Sequence, residues 1–231
     1  MSTSGTYTFA PSLGELTIYA YNLAGLRGTS LTQEHMEAAR MATNMMLASW
    51  ANQGVNLWAV ELQVEPLIEG QATYSVPSNT VVVLDAYLRI TEGQAQPIDR
   101  IILPISRSEY ANYPNKDQQG FTTTYWFDRL ISPTITLWPV PDGVSAQYLR
   151  YYRVRQLQDA NLSGGEQVEI PCLWMEAAAD GLAYRLSKIW NPQMAGGLKA
   201  AADESYSIAS RQNVETADQY ITPQISGYYR P

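Results

Sequence analysis

His35 is the only histidine and Cys172 the only cysteine in the 231 residues. A thiolate nucleophile needs a base within hydrogen-bond reach, and His35 alone is available for that role. Cys172 follows Pro171 at the expected start of a helix. Neither residue has a second His or Cys at metal-ligand spacing, and a lone cysteine makes no internal disulfide. His35, next to Met36 near a helix N-terminus, reads as an ordinary, partly exposed helical side chain. The 22 acidic residues offer so many carboxylate pairs that a glycosidase signal has no value. Gly-x-Ser-x-Gly, Walker A and dinucleotide glycine patterns do not occur. The residues therefore point to no catalytic group, no metal site and no cofactor.

Composition narrows the remaining classes. Apolar residues make up 45% of the chain and charged ones 16%, the balance of a folded protein. No run of about 18 uncharged apolar residues is present to span a membrane. Met1 to Ala10 lacks the basic and apolar regions of a secretory signal, and the single cysteine suits a reducing compartment. A formal charge of −7 argues against a surface that grips nucleic acid by its phosphates, though not against DNA passing by. Sixteen tyrosines and six tryptophans stand against three phenylalanines. Amphipathic aromatics of this kind suit protein interfaces or, equally, a β-rich fold.

The element that must position His35 is the helix of residues 31–54. Met36, Ala39, Thr43, Met46 and Trp50 form its apolar stripe. Ser30 with Gln33 fits a capping box, and Thr32 is a second candidate cap. Gly54 fits a left-handed helix end. An earlier helix opens at Pro11 and Ser12, buries Leu13, Leu16, Tyr19 (or Ala20) and Leu23, and stops at Gly25 and Gly28. Pro171 opens a third helix around Cys172, with Ala178, Leu182, Leu186 (or Arg185) and Ile189 as its stripe. After Asn191-Pro192 a fourth runs from about Gln193 to Ala217, with Leu198, Ala201, Ser205 and Ile208 inward. Met36, Met46, Trp50, Leu182, Leu186 and Ile189 are the predicted core of the helices.

Between the helix pairs, residues 55–155 follow the two-residue period of strands. Trp58, Val60, Leu62 and Val64 alternate with Ala59, Glu61 and Gln63, which predicts the apolar set inside. Gly70 suggests a hairpin to Thr73–Val76, and Pro77-Ser78-Asn79 a further turn. Residues 81–90 read as a central strand, with Val82, Leu84, Ala86, Leu88 and Ile90 on one face. A short helical turn at Ser108–Tyr113 precedes strands at Thr123–Phe127 and Thr134–Trp138. Pro139 to Gly143 then predicts a hairpin into Gln147–Val154.

The expected fold class is α+β: a helical bundle of N- and C-terminal helices with an inserted antiparallel β-rich domain and an extended C-terminal arm. Residues 1–54 supply the N-terminal arm and two helices, 55–160 the inserted domain, 161–219 the completing helices and 220–231 the arm. Ile221, Ile225, Tyr228 and Tyr229 make that arm more apolar than a plain solvated tail. It suits a segment that orders on a partner.

This order of elements resembles the head-to-tail adaptor (connector) proteins of short-tailed bacteriophages. The resemblance is carried by Asn44-Met45-Met46-Leu47-Ala48-Ser49-Trp50 with Gly54 and Trp58, by Glu69-Gly70-Gln71-Ala72-Thr73-Tyr74, and by Leu137-Trp138-Pro139-Val140-Pro141 followed by Leu149-Arg150-Tyr151-Tyr152. Pro171 to Ala177, running into Gly181-Leu182-Ala183-Tyr184-Arg185-Leu186, completes it. The resemblance implies a structural virion protein of the neck, assembled in the host cytoplasm, and no enzyme. It implies a ring of twelve copies joining the portal protein to the tail nozzle and tail fibres, with DNA passing through unbound. The portal-interface arm would be Tyr220, Ile221, Ile225, Tyr228, Tyr229 and Arg230. The competing reading is a carbohydrate-binding module that stacks sugars on Trp126, Trp138, Tyr125 and Tyr148.

Overall fold

The computed structural model describes residues 3–6, 9–54, 56–90, 96–144, 147–162 and 165–214. Ser12 caps the first helix, α1 (Leu13–Leu23), in a reciprocal capping box with Glu15, and Gly25 ends it at φ +84°. Of the two candidates for its third buried position, Ala20 is inside and Tyr19 points out. The next helix, α2 (Gln33–Ala51), starts at Thr32 rather than Ser30, which lies in a short 3-10 turn. Ala39, Thr43, Met46 and Trp50 are buried along it, whereas Met36 is only partly so. Gly54 does not take a left-handed φ; the helix closes on Asn52 in right-handed geometry.

A 3-10 turn at Cys172–Trp174 leads into α4 (Met175–Trp190), and α5 (Ala195–Ser210) follows it. Helix α4 is the hub, with α1, α2 and α5 each packed against it. It is therefore buried over a wide arc, from Ala177, Ala178 and Ala179 to Leu182, Ala183, Leu186 and Ser187. Its Gly181 allows close approach: an added Cβ would lie 2.8 Å from Met46 Sδ. The predicted core residue Ile189 is a correction, being 59% exposed, because the arc that faces three partners ends at Ser187. Helix α5 turns Ala202, Ser205 and Ala209 inward and leaves Ile208 out, one step round from the expected stripe. Trp50 and Leu182 share one apolar core with Leu13, Tyr21, Met46, Trp174 and Leu186.

The strands are β1 (Val60–Pro66), β2 (Thr73–Ser75), β3 (Thr80–Ile90), β4 (Ile98–Pro104), β5 (Thr124–Asp128), β6 (Thr134–Trp138) and β7 (Gln147–Arg155), with a short helix α3 (Arg107–Asn112) after β4. They form one sheet in the order β1-β7-β3-β4-β5-β6-β2. All neighbours are antiparallel except β4 and β5, so the sheet is mixed. The fold class is α+β. Two expected hairpins are absent. Gly70 does turn at φ +74°, but β1 and β2 end on opposite edges of the sheet. Likewise β6 pairs with β5 and β2, not with β7. The proline-rich connection makes the difference: Val140 donates its N–H to Gln118 O and Pro141 accepts from Gly70 N–H, which leads the chain away from β6. A second core joins both halves of the curled sheet: Ala86, Leu88, Ile102, Leu149 and Tyr151 from one, Tyr74, Tyr125, Ile135 and Leu137 from the other.

Candidate interaction surfaces

The two reactive side chains are held apart. The His35 ring stacks on Trp190 at 4.0 Å between centroids, at the C-terminal end of α4. Exposed Cys172 precedes the N-terminal end of the same helix. Sixteen helical residues put roughly 24 Å between those ends, so the imidazole does not serve the thiol. No group of three His, Cys, Asp or Glu side chains among the described residues is placed to hold a metal ion. His35 has a packing role that its sequence neighbours do not reveal. Its Nδ1 accepts the Thr32 backbone N–H at 3.2 Å, and Tyr21, edge-on to its ring, donates its hydroxyl to the His35 carbonyl at 2.6 Å. Burial pushes the Tyr21 phenol up to about 12.

The four aromatics of the sugar-binding reading do not make a platform. Tyr125 is buried in the sheet core, and Tyr148 lies on the other half of the sheet, on β7. Trp126 and Trp138 share the outer face of β5 and β6, by register with Thr136 and Thr124. Helix α3 and the residue after it cover that face. Tyr110 stacks on Trp126 at 5.5 Å and Tyr113 on Trp138 at 3.9 Å, while Trp138 Nε1 donates to Asn115 O.

The outer face of β1, β7, β3 and β4 is different. In β1 the expected alternation is reversed: Leu62 and Val64 are 41% and 40% exposed, while Glu61, Gln63 and Glu65 lie on the less exposed side. The reversal follows from pairing. Glu61 stands opposite Arg153 and Glu65 opposite Leu149, on the inner face of β7. Arg153 donates to Glu61 at 2.9 Å and to Asn79 at 2.7 Å. Arg155 joins Glu61 to Glu169, and that bond holds the Glu169 carboxyl below its usual range. These ionic links hold Glu61 on the Arg153 side of the sheet, and by alternation Leu62 and Val64 face out.

Register extends the outward set across the strands. Leu62 lies opposite Tyr152, and Val64 opposite Arg150; Arg150 lies opposite Tyr87, and Tyr87 opposite Ile101. Tyr148, Tyr152, Ile101 and Leu103 are all exposed. Arg89 pairs with Asp99 on this face, and Arg150 also acts on the Asp99 carboxylate from a distance; among the described residues Arg150 forms no direct ion pair, and its buried Nε has no hydrogen-bond partner. The free edge is also developed. Because Leu67 N–H donates to Gln147 O, alternation turns the backbone groups of Leu62 and Val64 away from β7.

A second surface is a groove of about 740 Å³ between the N-terminal segment, α1 and α4. Phe9, Leu16, Tyr19 and Met175 give it an apolar floor, and Glu15, Glu176 and Asp180 its charge. Ser12 occupies Glu15 through the helix cap and holds its carboxyl below the usual range. Glu176 and Asp180 form no ion pair among the described residues. The residues predicted for a portal-interface arm, Tyr220, Ile221, Ile225, Tyr228, Tyr229 and Arg230, lie outside the described residues.

Developed apolar and charged surfaces, on a fold whose histidine and cysteine are spent on packing or kept apart, are those of a protein that docks. The chain belongs to the SU10 adaptor protein family, whose model matches residues 23–226. A phage adaptor of this kind is a structural component of the virion, not an enzyme class, and associates with other virion parts such as portal and tail. A search of the curated proteins matched none. No helix among the described residues is long and apolar enough to cross a membrane.

Proposed function

We propose that this chain is a head-to-tail adaptor whose copies form a ring below the portal and carry the tail nozzle and fibres beneath it. The observation that carries this reading is the family match over most of the chain, from the end of α1 into the C-terminal segment. In this reading the N- and C-terminal helices act as one bundle, residues 1–54 with 161–219. The strands of 55–160 form an inserted body facing tail components. Two cores, one of helices and one of strands, support that division.

By the family resemblance the ring has twelve copies and would carry a charge of roughly −84, a field that discourages packaged DNA from adhering to its wall. Residues 220–231 serve as an arm that orders on the portal and buries its tyrosines and isoleucines there. Free subunits remain largely monomeric, so that the ring forms in order on the portal.

The test is removal of residues 220–231, followed by mixing with the portal ring of the same phage. A folded, soluble, monomeric subunit that no longer binds the portal is expected. Wild-type occupancy of the portal by the truncated chain excludes the arm's role. A stable ring of the full chain in free solution, seen by light scattering at micromolar concentration, excludes ordered assembly.

A further inference from the structure

We infer that the uncovered sheet face of one copy docks on the acidic groove between α1 and α4 of the next copy, an inference that rests on the ring reading above. Three observations converge on a second copy as the occupant. The sheet face is apolar where solvent calls for polar residues: Leu62, Val64 and Ile101, the last 79% exposed, stand out from it. A contiguous outward apolar patch on a folded chain marks a surface that is covered in use.

The charges match as well. Among its charged side chains with assigned register, Arg89 and Arg150 share the single carboxylate of Asp99, which leaves this face with one positive charge in excess. The groove offers the converse: among the described residues no basic one lines it, and Glu176 and Asp180, one helical turn apart on α4, form no ion pair. Each surface thus has an apolar bed and one sign of unbalanced charge, and the signs are opposite.

The two surfaces also differ in kind. One belongs to the sheet core and the other to the helical core, so the contact is heterologous: the same pair of unlike surfaces repeats from copy to copy. Repetition of a heterologous contact closes a ring when the rotation between copies closes. A two-fold dimer would have to form both unlike contacts at once across its axis, whereas a ring forms one of them at each junction.

The experiment adds full-length chain to the portal ring of the same phage. Bound copies are counted by mass photometry, and closure is seen by negative-stain microscopy. Arg150→Glu, and separately Glu176→Arg with Asp180→Arg, should each weaken occupancy by about tenfold or more, since like charges then face each other. The combination of all three changes in one chain should recover most of that loss, because every contact in the ring is then reversed as a pair. Ile101→Glu tests the same face at a position too exposed to disturb folding, and it should also reduce occupancy. Complete rings at wild-type occupancy from Ile101→Glu and from the groove variant overturn the inference and leave the ring reading standing. Failure of the combined variant to recover, with its fold intact by circular dichroism, overturns the pairing of these two surfaces. A wild-type chain that forms no ring on the portal overturns the ring reading itself, and this contact with it.

Discussion

The sheet has two outer faces, and the chain treats them in opposite ways. Over β5 and β6 it lays its own aromatics, Tyr110 on Trp126 and Tyr113 on Trp138, anchored by α3, which is capped by Ser106 and Glu109. Over β1, β7, β3 and β4 it buries only the end at Val154 and leaves Leu62, Val64, Tyr148, Tyr152 and Ile101 to solvent. Both faces are rich in aromatic and β-branched residues, so sequence composition does not distinguish them. What distinguishes them is whether the cover is in the same chain. A face finished internally contributes to stability; one left open is available to a neighbour.

The largest expected effect belongs to the interior that both faces share. Burial raises the phenols of Tyr125 and Tyr151 from 10.0 to about 12. A raised folded pKa favours the neutral form, so their contribution is intact below pH 10 and is lost as pH climbs from 10 through about 12. With each unit near 1.4 kcal/mol, the two together stand for on the order of 5 kcal/mol. Denaturant melts across that window should fall steeply, and Tyr151→Phe should flatten the fall.

Next comes the finished face. Trp138→Ala removes a stacked partner of Tyr113 and the bond to Asn115 O, and should cost about 2–3 kcal/mol, less than for a fully buried tryptophan. Urea unfolding measures it. The smallest effect is expected on the open face: Leu62→Ser should change stability by no more than about 0.5 kcal/mol. A loss as large as that for Trp138→Ala would erase the contrast between the faces and show that Leu62 is part of the core.

Much of the helical layer was legible because its burial follows one-element periodicity. The α2 stripe from Ala39 to Trp50 and the Leu182 and Leu186 positions of α4 need only the helical repeat to be found. Ile189 and Ile208 failed because a repeat names a stripe but not how far round it a neighbour reaches; α4 meets three partners and α5 packs against α4. Six of the seven strands match the expected ranges within a residue or two, but β4 (Ile98–Pro104) is not among those expected, and the pairing was not legible. Whether Gly70 begins a hairpin depends on what Pro141 and Gln147 accept from residues 67–70, a long-range matter. The reversal of β1 was the least legible feature, since it turns on Arg153 and Arg155, about 90 residues away. His35 is the partly exposed helical side chain its sequence position suggests, but its contacts with Tyr21 and Trp190 were not legible because those residues lie in other helices.

The Arg155 guanidinium is shared by Glu61 on the first strand and Glu169, whose neighbours Val168 and Ile170 are embedded in the helical core. Apolar surfaces can slide over one another, but a planar cation held by two carboxylates tolerates little rotation. A rotation of the first strand against the segment around Glu169 would therefore have to break or redirect this bridge.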